Sequence, residues 1–372
     1  MNRRTLVLAM LAAAAPRTAL AAGTYETSAG PLRLETVARG LSRPWALAFL
    51  PGGEMLVSER QGKLRVVRPD GAVSEPVAGL PDIEAGGQGG LLDIALDPGF
   101  AENRLVYLSF TEPRADGSGT SVMRVQLADD LTRLDDVTVI LRTQPGATAG
   151  QHFGSRLVFD RTGALFVTTG DRNLRDAVQR PDTHIGKILR IAPDGSVPPG
   201  NPKPAGWLPE IWSIGHRNVQ AAALHPETGV LWTVEHGARG GDELNRPAAG
   251  KNYGWPVISY GREYSGARIG DGNAMAGMEQ PVHFWDPSIA PSGMVFYTGN
   301  RYPGWQGNLF IGALVQKHLA RVVMTDGKVS GEERLFDGLA RIRDVRQGPD
   351  GYLYLVTDEN APAGRILRVM PG

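Results

Sequence analysis

A short unit of sequence recurs six times along the 372-residue chain. Each copy is an apolar run, then a turn rich in proline, aspartate and glycine, then a second run rich in leucine, valine and aromatic residues. The copies are Trp45–Glu59, Leu91–Ser109, Arg156–Thr169, Ala221–Glu235, Ser292–Ala313 and Ile342–Thr357. A sheet unit of this size cannot bury both faces alone, so the repetition predicts units that stack on one another.

A third apolar run follows most copies, several times directly after Gly-Lys or Gly-Arg. These runs are Leu64–Val67, Val122–Leu127, Ile188–Ile191, Leu319–Met324 and Ile366–Val369, with Glu243–Arg246 as a less apolar candidate in the fourth unit. The pattern predicts an all-β fold, a six-bladed β-propeller with mostly four-stranded antiparallel blades. Two β-sandwiches in tandem are the alternative, but no linker or change in composition divides the chain. The predicted inter-strand loops are Thr111–Thr120, Arg172–Asp182, Val197–Leu208 and Tyr260–Pro287.

The N-terminus has the pattern of an export signal. Arg3-Arg4 precedes an apolar run, Leu6–Ala15, that is too short to span a bilayer, and Ala19-Leu20-Ala21 offers a small-residue cleavage site. We therefore expect residues 1–21 to be a signal peptide and residues 22–372 to form a single propeller domain. Export of a chain without cysteine predicts a periplasmic protein that does not depend on disulfides.

Composition and motifs exclude several classes of function. The 39 basic residues balance the 39 acidic ones, which offers no ground for nucleic-acid or membrane-surface binding. No later apolar stretch is long enough to span a membrane. The sequence has no P-loop, nucleophile elbow, dinucleotide fingerprint or Cys/His cluster for zinc.

Polar side chains stand at one equivalent position, directly before or at the start of four of the six units. They are Gln88, His152, Arg217 with Asn218, and Arg341 with Arg343. Taken singly, each is more typical of a surface contact or a salt bridge. In a propeller, however, the loops that lead into the innermost strands line one mouth of the axial channel. One imidazole base among several guanidinium groups predicts a small polyanionic ligand there.

Local features refine this prediction. The four glycines around Gln88 are expected to let a ligand approach the backbone closely, with a flexible turn as the alternative. Alternation along a strand puts Arg341 and Arg343 on one face, with no obvious acidic neighbour on that face.

The segment Val234–Tyr253 is a candidate cation site. Its glycine-rich part, Gly237–Gly241, exposes backbone carbonyls, and Asp242 and Glu243 add carboxylates. Oxygen donors in an irregular loop suit Ca²⁺ better than zinc, although the spacing is not that of an EF-hand.

Together these motifs resemble the soluble pyrroloquinoline quinone (PQQ)-dependent aldose sugar dehydrogenases of the glucose/sorbosone dehydrogenase family. The resemblance extends from about Leu32 to Val369. It rests on Gly87–Leu92, His152–Leu157, Gly186–Arg190, Gly215–Asn218, Glu235–Asn245, Asn252–Pro256 and Arg341–Val345. It implies a six-bladed propeller that holds PQQ on a Ca²⁺ ion in the channel mouth.

The resemblance also implies roles for the matched residues. His152 corresponds to the base that takes the proton of the anomeric hydroxyl while a hydride passes from C1 to PQQ, and Arg217 lies beside the accepting carbonyl. The implied PQQ contacts are Gln88, Arg217, Asn218, Arg341 and Arg343. The implied calcium ligands are the carbonyls of Gly237 and Ala238 beneath PQQ, and Glu243 with Tyr253 at a further site.

Two departures from the family pattern bear on function. A family lysine that contacts PQQ in the fifth unit aligns with Val315 here, so a shifted loop would be needed for Lys317 to take that role. The loops after Gly170 and Tyr260 are short beside those of the glucose dehydrogenase, which favours broad aldose specificity.

The sequence therefore predicts a periplasmic quinoprotein that oxidises aldoses at C1 to lactones. Its expected partners are an aldose and an external electron acceptor, a quinone or a cytochrome, and the chain is expected to be a monomer or homodimer. A metal-dependent sugar lactonase on a propeller is the first alternative, and it would need several carboxylates or amides around one metal. A non-catalytic propeller that binds a glycan or a protein is the second.

Overall fold

The computed structural model describes residues 23–360 and 362–372, so the predicted signal peptide lies outside the described residues. Its strands form six antiparallel sheets, five of four strands and one of three. This confirms the predicted all-β fold, a six-bladed β-propeller. The described ranges contain two α-helices, α1 (Phe100–Asn103) and α2 (Arg175–Val178), each of a single turn.

The strands follow the chain sheet by sheet. Sheet 1 contains β2 (Pro44–Phe49), β3 (Met55–Glu59) and β4 (Lys63–Val67). Sheet 2 contains β5 (Leu91–Leu96), β6 (Leu105–Arg114), β7 (Gly117–Leu127) and β8 (Leu134–Arg142). Sheet 3 contains β9 (Leu157–Phe159), β10 (Leu165–Thr168), β11 (Lys187–Ile191) and β12 (Ile211–Ile214). Sheet 4 contains β13 (Val219–Leu224), β14 (Leu231–Glu235), β15 (Asp242–Asn245) and β16 (His283–Trp285). Sheet 5 contains β17 (Pro291–Phe296), β18 (Leu309–Ala313), β19 (Leu319–Thr325) and β20 (Lys328–Leu335). Sheet 6 contains β21 (Ile342–Gln347), β22 (Leu353–Thr357), β23 (Gly364–Pro371) and β1 (Leu32–Leu41).

The two ends of the described chain close the ring of sheets. Strand β1 pairs antiparallel with β23, from Leu32 opposite Pro371 to Leu41 opposite Gly364. The first strand of each sheet contacts the first strand of the next, and β2 contacts β21 in turn. All six predicted units form the first two strands of a sheet, but the pairing of β1 with the last sheet was not predicted. Its partner lies at the far end of the chain, where local pattern carries no information.

The core lies between the faces of neighbouring sheets. One apolar cluster joins sheets 1 and 2 through Trp45, Leu56, Leu92 and Val106, and similar clusters fill the other gaps. Every residue of β3, β10, β14, β18 and β22 is therefore buried. Because both faces of these strands are covered, they are mostly apolar instead of alternating between apolar and polar residues, and the serine, threonine and glutamate residues among them lie between the middle of the strand and its C-terminal end.

Hydroxyl side chains on the second strands tie adjacent sheets together near the channel. Ser58, Ser109 and Thr168 each accept a hydrogen bond from an N–H of the first strand of their own sheet. Each also donates to a carbonyl of the next sheet: Ser58 to Leu92 (2.5 Å), Ser109 to Ser155 (2.7 Å) and Thr168 to Val219 (3.0 Å). These bonds hold the starts of the innermost strands in a common register around the axis.

Three of the four predicted loops contain regular structure. Thr111–Thr120 forms the ends of β6 and β7, which pair as far as Arg114 opposite Gly117. The polar residues of this segment are typical of a loop, which is why a loop was predicted. In the structure the Thr120 hydroxyl donates to the Phe153 carbonyl (2.8 Å), so the hairpin packs against the segment that contains Phe153. The second predicted loop contains α2 and the fourth contains β16, whereas Val197–Leu208 is irregular as expected.

Candidate active site

A cavity of about 650 Å³ opens at one mouth of the axial channel. Each sheet contributes to its wall from the innermost strand or the loop before it: Trp45, Leu92, His152, Arg217, Ala290 and Arg343. Gln88 and Arg341 also line it. Of the polar residues that the sequence places at the channel mouth, Gln88, His152, Arg217, Arg341 and Arg343 line this cavity, whereas Asn218 is fully buried and does not line it.

His152 is buried in the cavity wall and paired with a carboxylate. Its Nδ1 lies 2.7 Å from Oδ1 of Asp171, and the other carboxylate oxygen of Asp171 accepts from the indole Nε1 of Trp255 at 2.8 Å. Burial by itself raises the pKa of Asp171, but the hydrogen bond and charge of His152, the Asn173 N–H and the charge of Arg217 outweigh it and lower that pKa below its ordinary value. Asp171 is therefore a carboxylate that orients the imidazole.

The backbone at His152 is held in the left-handed region, with φ of 58°. Its N–H donates to Oε1 of Gln88 (2.9 Å), and its carbonyl lies so close to Gly170 that a Cβ there would be 1.9 Å from the oxygen. Such a conformation costs on the order of 1 kcal/mol and persists where neighbouring contacts enforce it. Gln88 and Gly170 thus direct the imidazole towards the cavity.

Gly87 and Gly90, on either side of Gln88, are required by close backbone packing, while the approach of a ligand to this loop stays a prediction. A Cβ on Gly87 would lie 2.1 Å from the carbonyl oxygen of Gly150, and one on Gly90 would lie 1.7 Å from the carbonyl oxygen of Arg60. The backbone N–H of Gln88 donates to that Gly150 carbonyl at 2.7 Å. The glycines therefore let two loops touch, and this contact brings Gln88 to His152.

Arg217 in the cavity wall and the fully buried Asn218 next to it in sequence each have a donor that is unpaired within the described residues. The Arg217 backbone N–H donates to Glu235 (2.6 Å), and its guanidinium donates to the carbonyls of His236 and Gly237. Asn218 uses its carbonyl oxygen to accept from the Gly154 N–H at 3.1 Å. Within the described part of the chain, Nε of Arg217 and Nδ2 of Asn218 are buried without a hydrogen-bond partner. Buried donors without partners are costly, and a ligand with acceptor atoms would satisfy them.

Arg341 and Arg343 both line the cavity, as alternation along the strand predicts. They do have an acidic neighbour, contrary to the expectation: Asp358 lies 3.3 Å from Arg341 and 3.5 Å from Arg343. Asp358 follows the adjacent strand β22, so only pairing across the sheet brings it near. Burial lowers the pKa of Arg343 to about 10, an effect that Asp358 opposes and neighbouring arginines reinforce.

The cavity carries an excess of positive charge. Its lining includes five arginines (Arg60, Arg217, Arg239, Arg341 and Arg343) and two aspartates (Asp286 and Asp358). Lys317 is exposed and lines an adjoining depression, together with Arg43, whereas Val315 lies in the cavity wall. The predicted contact of Lys317 with PQQ stays a prediction.

The predicted calcium-binding segment contributes to two places. Gly237 and Ala238 line the cavity, where the Gly237 carbonyl accepts from Arg217. Glu243 lies on β15, and the Asn245 amide donates both to it and to Glu235 at 3.1 Å. Burial, reinforced by the charge of Glu235, raises the pKa of Glu243 to about 8.

Tyr253 lies in the same region as Glu235 but has its hydroxyl engaged. Its ring stacks on His216 at 4.9 Å, and the His216 Nδ1 lies 2.9 Å from Glu235. The Tyr253 hydroxyl donates to the Arg246 carbonyl (2.6 Å) and accepts from the Ala248 N–H (3.0 Å). Tyr253 could therefore offer a cation its backbone carbonyl.

Several residues in or beside the cavity wall were missed in the sequence. Acidic residues recur near the end of the second strand: Glu59 and Glu235 end that strand in sheets 1 and 4, Asp358 directly follows it in sheet 6, and Asp171 lies three residues after it in sheet 3. That recurrence is a signal that comparison of the units could have found. Trp255 and His236 carried no such signal. Burial lowers the pKa of His236 to about 3, so it lines the cavity as a neutral imidazole whose Nε2 donates to the Pro291 carbonyl (2.6 Å).

Comparisons with known proteins agree with this geometry. Residues 41–368 match the model of the family described as Glucose / Sorbosone dehydrogenase. The aldose sugar dehydrogenase YliI of Escherichia coli is 46% identical over 91% of this chain and 93% of its own length. A crystal structure of a glucose dehydrogenase is 49% identical, with a TM-score of 0.88, and the match covers 91% of this chain and 99% of that one.

A solved structure with its cofactor is also similar. The PQQ-bound aldose sugar dehydrogenase of Streptomyces coelicolor is 30% identical, with a TM-score of 0.77, and the match covers 91% of this chain and 98% of that one. The family match spans nearly the whole propeller, and every residue that lines the cavity lies within it. The chain therefore belongs to the glucose/sorbosone dehydrogenase family of oxidoreductases.

Proposed function

We propose that this protein is a PQQ-dependent aldose dehydrogenase that oxidises sugars at C1 to lactones. The observation that carries the proposal is that His152, paired with Asp171, lines a cation-rich cavity in whose wall Arg217 has a donor left unsatisfied within the described residues. A base held by a carboxylate suits removal of a hydroxyl proton. The cationic wall suits a ligand with several carboxylates.

The residues at the cavity fit PQQ. Arg341 and Arg343 offer guanidinium groups for its carboxylates, and Nε of Arg217 offers a free donor for its oxygens. A contact of the buried Asn218 amide with PQQ stays a prediction. Gln88 adds a side-chain amide whose oxygen is already used by His152. When bound, PQQ supplies the two-electron acceptor for the hydride that leaves C1 of the sugar.

His152 is the proposed general base. Because its Nδ1 faces the Asp171 carboxylate, that nitrogen carries the proton and Nε2 has a free lone pair. In the proposed reaction, Nε2 accepts the proton of the anomeric hydroxyl, and Asp171 stabilises the imidazolium that forms. The role follows the same logic as the carboxylate–histidine pairs of hydrolytic enzymes.

A calcium requirement is part of the proposal. Glu243 and Glu235 are buried and close, and within the described residues the Oδ1 atom of Asn245 is buried without a hydrogen-bond partner. Carboxylate and amide oxygens of this kind are the ligands that Ca²⁺ prefers. A separate Ca²⁺ would be held by the carbonyls of Gly237 and Ala238, which line the cavity proposed for PQQ.

The lactonase alternative is less well supported. Within residues 23–360 and 362–372, no group of three or more His, Cys, Asp or Glu side chains is arranged to hold a metal ion. The channel mouth carries arginines where a metal-dependent lactonase needs several acidic or amide ligands. A purely glycan-binding propeller would not need the buried His152–Asp171 pair.

Export, substrate range and partners complete the proposal. Residues 1–21 would direct the protein to the periplasm, where a quinone or a cytochrome would reoxidise the cofactor. The short segments after Gly170 and Tyr260 favour several aldoses over glucose alone. No helix within the described part of the chain has the length and apolar character needed to cross a membrane.

One experiment separates these functions. Cofactor-free protein would be loaded with PQQ and Ca²⁺, and the reduction of a dye would be followed with a panel of aldoses. The proposal predicts sugar-dependent reduction that requires both additions and yields the lactone. Hydrolysis of lactones without any sugar-dependent reduction would refute it and support the lactonase.

A further inference from the structure

We infer that Trp255 is a positioning residue for the base, because its indole N–H holds the Asp171 carboxylate in the orientation that faces His152. The inference rests on the proposed role of His152 in sugar oxidation. Trp255 is then a third member beside the His152–Asp171 pair. It lies in the long connection between β15 and β16 of sheet 4, whereas His152 and Asp171 lie on either side of β9 and β10 in sheet 3.

The hydrogen bonds divide the two oxygens of Asp171 between different partners. Oδ1 faces Nδ1 of His152 (2.7 Å) and accepts from the Asn173 backbone N–H (2.9 Å). Oδ2 accepts from Nε1 of Trp255 (2.8 Å). All three side chains are buried, with 7% of His152, 1% of Asp171 and 5% of Trp255 exposed. A carboxylate bound on both oxygens cannot rotate, so the imidazole keeps one orientation and one tautomer.

Trp255 lies in a rigid socket of its own. Its backbone N–H donates to the Gly215 carbonyl (2.9 Å), and the Gln179 side chain donates to its carbonyl (2.7 Å). The indole packs in an apolar cluster with Val178, Ile185, Ala238 and Ile269. The indole N–H is therefore presented to Asp171 from a fixed position.

The charged groups around the pair come from several elements. Arg172 and Arg175 follow Asp171 in the chain, and both interact electrostatically with it. Arg217 approaches from the loop before β13, and the neutral His236 approaches from the end of β14. The guanidinium carbons of Arg175 and Arg217 lie 5.0 Å and 5.2 Å from the Trp255 ring centre. Within the described residues, Trp255 is thus the one side chain other than His152 that donates a hydrogen bond to Asp171, and it is neutral while several neighbours are cationic.

Loss of the indole N–H would leave Oδ2 of Asp171 buried without a donor. A buried carboxylate oxygen without a hydrogen-bond partner is costly. Asp171 would therefore either rotate or interact more strongly with His152 through its negative charge. Both responses disturb the base and leave the sugar-binding surface unchanged. The expected signature is a loss in kcat and a shifted pH profile, with KM for the sugar retained.

The test is Trp255→Phe in the protein loaded with PQQ and Ca²⁺. Phenylalanine keeps an aromatic ring in the socket and removes only the N–H. We expect kcat to fall by about 10-fold, KM for the aldose to change by less than about 2-fold, and the acidic limb of the kcat/KM profile to move to higher pH. Trp305→Phe is the matched control, since it removes a buried indole donor to Ser28 (3.0 Å) far from the cavity.

A spectroscopic measurement decides the inference without turnover. Nitrogen-15 spectra of the histidine side chains, assigned with His152→Gln, would be recorded with and without PQQ and Ca²⁺. We expect His152 in the native protein to carry its proton on Nδ1, and Trp255→Phe to change its tautomer populations or titration midpoint. Unchanged His152 spectra and an unchanged pH profile would overturn the inference. If no sugar is oxidised at all, the proposed function fails, while the spectra still report on the role of Trp255.

Discussion

Glu235 and Glu243 face each other as direct cross-strand partners on β14 and β15. The side-chain amide of Asn245 donates to both carboxylates, and its own oxygen is buried without a partner within the described residues. Two neighbouring carboxylates in a buried site favour a shared cation or a proton on one of them. Burial first, and the charge of Glu235 second, raise the pKa of Glu243 to about 8.

The first prediction concerns calcium and Glu243. Ca²⁺ should raise the melting temperature of the native protein, and Glu243→Gln should abolish most of that increase because one of the two carboxylates is lost. Differential scanning calorimetry with Ca²⁺ and with a chelator measures this increase in melting temperature. Glu227→Gln, at an exposed turn, is the control and should keep the full response. An intact calcium response in Glu243→Gln would show that the ion binds elsewhere.

The same substitution has a pH dependence in calcium-free protein. The pKa of Glu243 is raised from 4.5 to about 8 on folding, so between these values the folded state binds the extra proton and stability falls as pH rises. Glu243→Gln removes this loss. Its stability relative to the native protein should therefore increase from pH 5 to about pH 8 in urea titrations with chelator. A pH-independent difference would contradict the assignment.

The second prediction concerns Asp358, the counter-ion of Arg341 and Arg343. Asp358→Asn removes a negative charge from a wall that should bind carboxylates, so the dissociation constant for PQQ should fall by about 3- to 10-fold at low salt. Fluorescence titration of the cofactor-free protein measures it. Asp350→Asn, which loses a carboxylate beside Arg368 instead, is the matched control. Weaker PQQ binding in Asp358→Asn would mean that Asp358 mainly holds the arginines in place.

The third prediction concerns the base. His152→Ala should lower kcat by about 10²- to 10⁴-fold while PQQ still binds, because Nε2 would no longer accept the hydroxyl proton. Steady-state kinetics and a PQQ titration separate the two effects. His225→Ala, at the turn between β13 and β14, is the control. Turnover within tenfold of the native rate would exclude His152 as the base.

The fourth prediction concerns Lys187, a fully buried lysine at the start of β11. Its Nζ donates to the carbonyls of Val178 (2.7 Å) and Ile185 (2.5 Å), which hold the segment after Asp171 against sheet 3. Burial lowers its pKa from 10.5 to about 7. Between these values the unfolded chain binds the extra proton, so this group adds stability as pH rises, by at most about 1.4 kcal/mol per pH unit.

Lys187→Met tests this sign. The unfolding free energy of the native protein minus that of Lys187→Met should increase between pH 7 and pH 10 in urea titrations. Lys203→Met, at an exposed position, should show no such trend. A difference that is flat or declines with pH would show that Lys187 stays charged in the folded protein.

The repeat and the channel mouth could be predicted because both depend on local chemistry. In each unit, apolar runs predict the strands, and proline, aspartate and glycine predict the turn between them. Counting the units therefore predicted the six sheets that the structure has. Equivalent positions in stacked units must lie at equivalent places around the axis. That argument alone predicted the common location of Gln88, His152, Arg217 and Arg343, which all line one cavity.

The sequence by itself thus determined the number of blades and the mouth that carries the polar groups, and it gave His152 as the proposed base. Only the tertiary structure decided how that base is held, since Asp171 lies 19 residues from His152 and Trp255 lies 84 residues from Asp171. It also decided that Asp358 pairs with Arg341 and Arg343, and that β1 completes the last sheet. The physical reason is that these contacts join loops from different sheets, and their geometry follows from how the sheets pack around the axis.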